Sequence, residues 1–214
     1  ATILQKCLKD SCDPELVIED GVLTEYKGTA EYVVVPDGVT AIGDCVFWQN
    51  ESLKEIHLPE GVAHIGNAAF CACENLETIN FPKSLLYIGK DAFFACEKLN
   101  RIDLPNNLTT ISENAFGSCI NIQDLHIPKR LHQLSSDSFH GCTKLKTITL
   151  DDESEVFDLY DGCLYDILMK KLYIVPGTKK SVTFPDGIKE IGRAFSGNDL
   201  IETILLPDSI ESIE

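Results

Sequence analysis

The sequence predicts an α/β repeat fold, a solenoid built mostly from short β-strands with 3₁₀ or short-helix return segments. A proline and a phenylalanine each recur every 23 residues, and apolar residues alternate with polar ones just before each proline, as in a half-buried strand. One such coil cannot bury its own apolar side, so we expect the copies to stack into one continuous core. The recurring residues are Pro36, Pro59, Pro82, Pro105 and Pro128, and Phe47, Phe70, Phe93, Phe116 and Phe139.

The copy at residues 53–75 shows what each position of the repeat L-x-x-I-x-L-P-x-x-[VL]-x-x-I-G-x-x-A-F-x-x-C-x-x is expected to do. Ile56 and Leu58 point inward from a first strand, and Pro59, which has no N–H, ends that strand. A second short strand follows, and Gly66 after it is expected to adopt the positive φ of a bend. Phe70 then sends a large ring into the core.

Breaks in the period divide the chain into segments. Asp151 replaces an expected proline, the period returns at Pro185, and the segment between alternates with period two, which predicts a β-hairpin. Because no polar capping unit follows the last repeat, the expectation is that the natural protein continues beyond Glu214. We predict a single solenoid domain over residues 1–214, made of an N-terminal variant coil with a strand pair (1–35), five regular repeats (36–150), a repeat with a β-hairpin insertion (151–184), a further repeat (185–206) and an incomplete repeat (207–214).

Composition and charge narrow the classes of partner. The 214 residues are 44% hydrophobic, include 34 acidic against 18 basic residues, and carry a net charge of −16. Such a surface repels phosphate backbones and anionic lipid, so neither nucleic-acid binding nor electrostatic membrane docking is expected. There is no run of about 18 apolar residues, which argues against membrane insertion.

The nine cysteines are interpreted mainly as packing residues. Four of them keep the 23-residue spacing, at a position where a free thiol behaves as a small apolar side chain. Cys71 and Cys73 form a C-x-C pair, but no second ligand pair lies at zinc-like spacing, so no metal or other cofactor is expected. Cys7 and Cys12 lie outside the repeats, and whether they form a local bridge is open. The four periodic cysteines are Cys73, Cys96, Cys119 and Cys142.

The repeat resembles that of the BspA-like leucine-rich-repeat family, found mainly on bacterial surface proteins. Residues 82–105 carry the match most clearly, and the hairpin sequence around Asp161 and Gly162 is also similar to one seen in that family. The resemblance implies a leucine-rich-repeat solenoid in a secreted or cell-surface protein, with adhesion or host-protein binding proposed for some members. It implies no catalytic residue. Ser112 and Ser135 depart from the pattern by replacing its glycine.

If the strands stack in parallel, outward side chains fall into two columns on one face of the solenoid, a face commonly used for binding. The densest polar group there, on residues 101–103 and 124–126, is either a cross-strand charge network or a recognition patch. His57 and His126 would lie about 14 Å apart, too far to share a metal. The candidate binding residues are Glu55, His57, Thr78, Asn80, Arg101, Asp103, Asp124 and His126.

These observations favour a non-enzymatic binding or adhesion module that presents its sheet face to a protein or glycan partner. Two alternatives stay open: a structural spacer in a larger surface protein, and the non-catalytic part of a larger enzyme. No G-x-S-x-G, H-E-x-x-H or Gly-rich phosphate loop is present.

The acidic run at residues 151–155 is interpreted either as a solvated loop or as a calcium site.

Overall fold

The computed structural model describes residues 15–152 and 154–213, which form a stack of coils joined by short β-strands. Within these ranges the helical structure is a 3₁₀ turn at Arg193–Phe195, and no helix has the length and apolar character of a membrane span. The strands are β1 (Leu16–Glu19), β2 (Val22–Tyr26), β3 (Tyr32–Val34), β4 (Ala41–Ile42), β5 (Glu55–His57), β6 (His64–Ile65), β7 (Thr78–Ile79), β8 (Tyr87–Ile88), β9 (Thr110–Ile111), β10 (Asp124–Ile127), β11 (Gln133–Leu134), β12 (Thr147–Leu150), β13 (Phe157–Tyr160), β14 (Cys163–Asp166), β15 (Lys171–Ile174), β16 (Glu190–Ile191) and β17 (Ser212–Ile213).

The predicted solenoid of short strands is confirmed, with short strands and turns as the main return path. The strands that precede the prolines form the first ladder, in which β3, β5 and β7 pair in parallel and β10 pairs with β12. Residues 100–104, on the coil between β7 and β10, form no strand, so this ladder is in two parts rather than continuous as expected. At this break Phe81 packs edge-on against Phe93 and Phe116.

The second ladder runs through β2, β4, β6, β8, β9 and β11 without a gap. Each pair is parallel, and from β4 onward the register is 23 residues, so that Ile42, Ile65, Ile88 and Ile111 lie opposite one another in sequence order. All four are buried, as the alternation of apolar and polar residues predicts. The ladder ends at β11, and strands β13 to β17 form a separate sheet.

Gly66 has a different role from the predicted one, because its φ is not positive. A Cβ on Gly66 would lie 2.7 Å from the carbonyl carbon of Gly43 and 2.8 Å from the nitrogen of Asp44, closer than Cβ atoms approach their neighbours. Gly89 makes the same close approach to Gly66. Glycine is therefore required by the short distance between successive coils, not by a left-handed bend.

Left-handed backbone occurs instead on both sides of the Ala-Phe pair. Ala68 and Ala72 have φ values of 51° and 57°. These turns place N–H groups against the next coil, where Phe70 N donates to Ala92 O and Ala72 N donates to Phe94 O, both at 2.7 Å. This third ladder offsets the roughly 1–2 kcal/mol that a left-handed conformation costs an L-residue. The non-glycine residues of the repeats that have a left-handed backbone conformation are Cys45, Gln49, Ala68, Ala72, Asp91, Ala95, Asn114 and Ser118.

Two antiparallel hairpins have the same turn. β1 pairs with β2 through Asp20 and Gly21, and β13 pairs with β14 through Asp161 and Gly162. Both turn residues have positive φ in each hairpin, the conformation of the type I′ turn that Asp-Gly favours. After the second hairpin, β15 pairs with β14 and then, in parallel, with β16, which pairs with β17.

A column of phenylalanine rings fills the middle of the core. Consecutive rings from Phe47 to Phe139 are stacked, with centroids 5.0–5.1 Å apart and interplanar angles of 4–10°. This spacing is close to the strand spacing of about 4.8 Å, so each coil contributes one ring. The rings are buried, and Tyr26 continues the column beyond Phe47 at a tilt of 39°.

The periodic cysteines form a second buried column beside the rings. Their thiols are free, and each donates to the carbonyl of a phenylalanine 26 residues earlier; Cys96 Sγ, for example, lies 3.1 Å from Phe70 O. Burial raises the pKa of the Cys73 and Cys142 thiols to about 12. Cys7 and Cys12 lie outside the described residues.

We predict that Phe93→Ala lowers the free energy of unfolding by about 3–5 kcal/mol, because it removes a fully buried ring from a stacked column. Urea denaturation monitored by circular dichroism measures the loss. Trp48→Ala is the control, since 55% of that residue is exposed. Equal losses for the two variants would contradict the role of the column.

We expect the four column thiols to resist alkylation by iodoacetamide at pH 8 in the folded protein, because they are buried and protonated, whereas the exposed Cys45 reacts. In guanidinium without reductant all four should react. Mass spectrometry of tryptic peptides measures the alkylated fraction of each cysteine under the two conditions. Failure to alkylate in guanidinium would mean that the thiols are oxidised and would overturn the packing interpretation.

Candidate functional site

The outward side chains of the first ladder form the predicted columns where its strands pair. Glu55 lies opposite Thr78 on β5 and β7, and Asp124 lies opposite Thr147 on β10 and β12. Glu55 is half-buried, whereas the others are exposed. We call these positions, together with His57, Asn80, Arg101, Asp103 and His126, the strand face.

Arg101 and Asp103 pair with each other on one coil. The Arg101 Nε lies 2.9 and 3.0 Å from the two carboxylate oxygens of Asp103, and both side chains are more than 70% exposed. Such a surface pair contributes at most about 1 kcal/mol of stability, so its loss costs the fold little. No ion pair in the described part of the chain joins Arg101 to Asp124, and the ion pair of Arg101 lies within its own coil.

His126 is oriented by the following coil. Its Nδ1 lies 3.0 Å from Thr149 Oγ1, and its Nε2 lies 3.2 Å from an oxygen of Asp151. The other oxygen of Asp151 accepts from the main-chain N–H of Lys129 at 3.0 Å. The imidazole is therefore held at one edge of the strand face, with 45% of its side chain exposed.

Asn80 has a structural contact that the sequence pattern did not predict. Its Oδ1 accepts from Leu58 N at 2.7 Å, and its Nδ2 donates to Leu58 O at 2.8 Å. The side-chain amide thus takes the place of a main-chain ladder partner just after β7 ends. Both polar groups of the Asn80 amide are hydrogen-bonded to Leu58. In the same column, His57 is the neighbouring polar side chain that could contact a ligand.

The strand face offers hydrogen-bonding and charged groups for recognition. Among residues 15–152 and 154–213, no cluster of three or more His, Cys, Asp and Glu side chains is arranged to hold a metal ion. Asp151, the first residue of the acidic run, makes its contacts with His126 and Lys129.

A second candidate surface lies where the second ladder stops at β11. An open cleft of about 700 Å³ borders β9 and β11 on one side and the half-buried Tyr173 of β15 on the other. A further cleft of about 660 Å³ lies on the other side of His132, between Arg130 and Val156. Since His132 lines both, we treat them together as the β11 groove. The break in the period after Leu150 was the sequence signal that marked this place.

The family model for the BspA-type leucine-rich repeat region matches residues 18–146 and 176–214 of the chain, in six copies. The matched residues make up well over half of the chain. No curated protein matches the chain.

Several solved structures have the same fold. A leucine-rich repeat protein of T. pallidum has 23% identity and a TM-score of 0.66 over 96% of this chain and 84% of its own. One from Bacteroides ovatus has 25% identity and a TM-score of 0.63, covering 94% of this chain and 52% of its own. A leucine-rich cell-surface protein of Faecalibacterium prausnitzii has 22% identity and a TM-score of 0.53, covering 95% and 72%. The chain thus spans about half of the Bacteroides protein.

We predict that Asn80→Ala lowers the free energy of unfolding by about 1–3 kcal/mol, because it leaves the N–H and C=O of buried Leu58 without these partners. Thr78→Ala, two residues away and exposed, should change it by less than about 0.5 kcal/mol. Chemical denaturation of both variants makes the comparison. If Asn80→Ala leaves the free energy of unfolding unchanged, the hydrogen bonds of Asn80 to Leu58 do not stabilise the fold.

Proposed function

Since the chain belongs to the BspA-type leucine-rich-repeat family, we propose that it is a non-enzymatic binding or adhesion module of a secreted or cell-surface protein. The strand face is the surface that binds, and its ligand is a protein or a glycan. The family fold is typical of bacterial surface proteins, and one structural relative is described as a cell-surface protein. We also propose that residues 1–214 form one solenoid domain divided as the repeat period indicates.

The observation that carries the proposal is the register of the strand face. Parallel pairing places the side chains of successive coils in columns, with His126 opposite Thr149 and Asp124 opposite Thr147. The inward neighbours of these residues are apolar and buried or half-buried, whereas the outward residues differ in charge and hydrogen-bonding groups from coil to coil. Such a rigid surface of unlike polar groups suits recognition of an extended partner.

Arg101, Asp103 and His126 are the central residues in this proposal. Arg101 is an exposed guanidinium with multiple donors, and its Nε is paired with the carboxylate of Asp103. His126 is held by two side chains of the next coil. Preorganised polar groups lose less conformational entropy when a ligand binds, which supports these positions over mobile surface lysines.

Neither of the two alternatives requires the strand face to bind a ligand. A spacer that holds another domain away from a surface needs the stacked core and no ligand. The non-catalytic part of a larger enzyme would also need no ligand of its own. Neither accounts for side chains fixed by contacts on an otherwise open face, so we favour the binding module.

We predict that the double variant Arg101→Ala and His126→Ala weakens binding to a ligand of the intact chain by roughly tenfold or more, without lowering the melting temperature. The ligand is selected on an array of extracellular proteins and glycans, and affinity is measured by surface plasmon resonance. Both side chains are exposed, so the fold should tolerate their loss.

The matched control is Lys83→Ala with His64→Ala, which removes one cation and one imidazole from exposed positions outside the strand face. This variant should bind as the intact chain does. Equal weakening by both double variants would point to a general charge effect, and an array with no bound ligand would favour the spacer.

A further inference from the structure

The outer edge of β11 differs from every earlier strand edge of the second ladder. In earlier coils the carbonyls flanking each strand accept from the next coil; Leu86 O, for example, accepts from Thr109 N and Ile88 O from Ser112 N. The equivalent carbonyls, those of His132 and Leu134, accept from no main-chain N–H in the described part of the chain.

The main-chain N–H groups of β11 point alternately toward β9 and toward the groove. Gln133 N and Ser135 N donate backward to Thr109 O and Ile111 O. Hydrogen-bonding groups alternate in direction along a strand, so the Leu134 N–H points the other way, toward the groove. One donor and two acceptors are thus presented at strand spacing beside an open cleft, an arrangement that pairs readily with another extended chain.

The groove also differs in charge from the rest of the molecule. Its charged lining has three cationic and two acidic side chains, in a chain with 18 basic and 34 acidic residues. Lys90 Nζ lies 2.7 Å from Glu113 Oε2, and Arg130 Nη1 donates to Asn107 Oδ1 at 3.2 Å. The charged residues that line the groove are Lys90, Glu113, Lys129, Arg130 and Glu155.

Tyr173 gives the groove an apolar wall. Its ring is half-buried and is fixed edge-on against Phe157 at a centroid distance of 5.2 Å. The ring lines the same cleft as Gln133 and Ser135, so a chain lying along β11 would have one row of side chains against the tyrosine. Arg130 and Glu155 line the part of the groove on the other side of His132.

We propose that the β11 groove binds an extended, acidic polypeptide segment of a partner protein, which adds a strand to the free edge of β11. Main-chain hydrogen bonds to Leu134 N, His132 O and Leu134 O hold the segment, and Arg130 favours its carboxylates. A glycan would satisfy the charge but not the alternating donors and acceptors of a strand edge. This site is separate from the strand face and does not depend on that proposal.

The test uses a fluorescein-labelled hexapeptide of alternating glutamate and valine, titrated with the intact chain and followed by fluorescence anisotropy. We expect saturable binding, and loss of binding when alternate main-chain nitrogens of the peptide are methylated. The Arg130→Glu variant should bind roughly tenfold or more weakly, whereas Lys144→Glu, an exposed charge reversal away from the groove, should bind normally. The double variant at Arg101 and His126 should also bind normally, which separates this site from the strand face.

Hydrogen exchange of the main-chain amides tests the free edge of β11 without any substitution in the protein. In the free protein the Leu134 amide should exchange with deuterium much faster than the Ile111 amide, and the hexapeptide should slow it. Equal protection of Leu134 and Ile111 in the free protein, no binding of the hexapeptide, unchanged binding of the methylated peptide, or equal binding of a sulfated hexasaccharide would each overturn the proposal.

Discussion

Hydrogen bonding between successive coils is the constraint on which the structure depends. Each coil is too small to satisfy its own main-chain groups, so it must pair with its neighbours at the spacing of adjacent strands. The phenylalanine stack, with centroids 5.0–5.1 Å apart, the close approach at Gly66 and Gly89, and the left-handed residues around Ala69 and Phe70 all serve that one spacing. A change at any of them alters the distance between coils and is felt by both neighbours.

Much of this was predictable because periodic packing leaves a periodic trace. A buried ring at Phe93 must have a ring above and below it, so its copies at Phe70 and Phe116 follow from the sequence. The same reasoning places Ile56 inside and Glu55 outside. The columns of the strand face could therefore be predicted wherever strands form.

The rest depended on contacts that have no period. Asn80 replaces a ladder partner with its own amide, which a pattern of outward positions cannot distinguish from a free surface asparagine. Arg101 pairs with Asp103 on its own coil, because two residues on the same side of one extended segment are close enough to meet. The left-handed φ angles of Ala68 and Ala72 could not be predicted either, since alanine is not a residue type that indicates this conformation. A break in the repeat period marks the β11 groove in the sequence, but the unpaired edge of β11 depends on where the strands after the break lie.

The orientation of the hydrogen bonds has a mechanical consequence. Since the ladders join one coil to the next, tension along the solenoid axis loads the hydrogen bonds of a coil interface directly. Such a stack yields coil by coil, and each released coil lengthens the chain by the extent of about 23 residues. The gap at residues 100–104 and the end of the second ladder at β11 interrupt the strand pairing, so we expect the stack to yield more easily there. In a protein that tethers two surfaces, these interfaces would act as an extensible element.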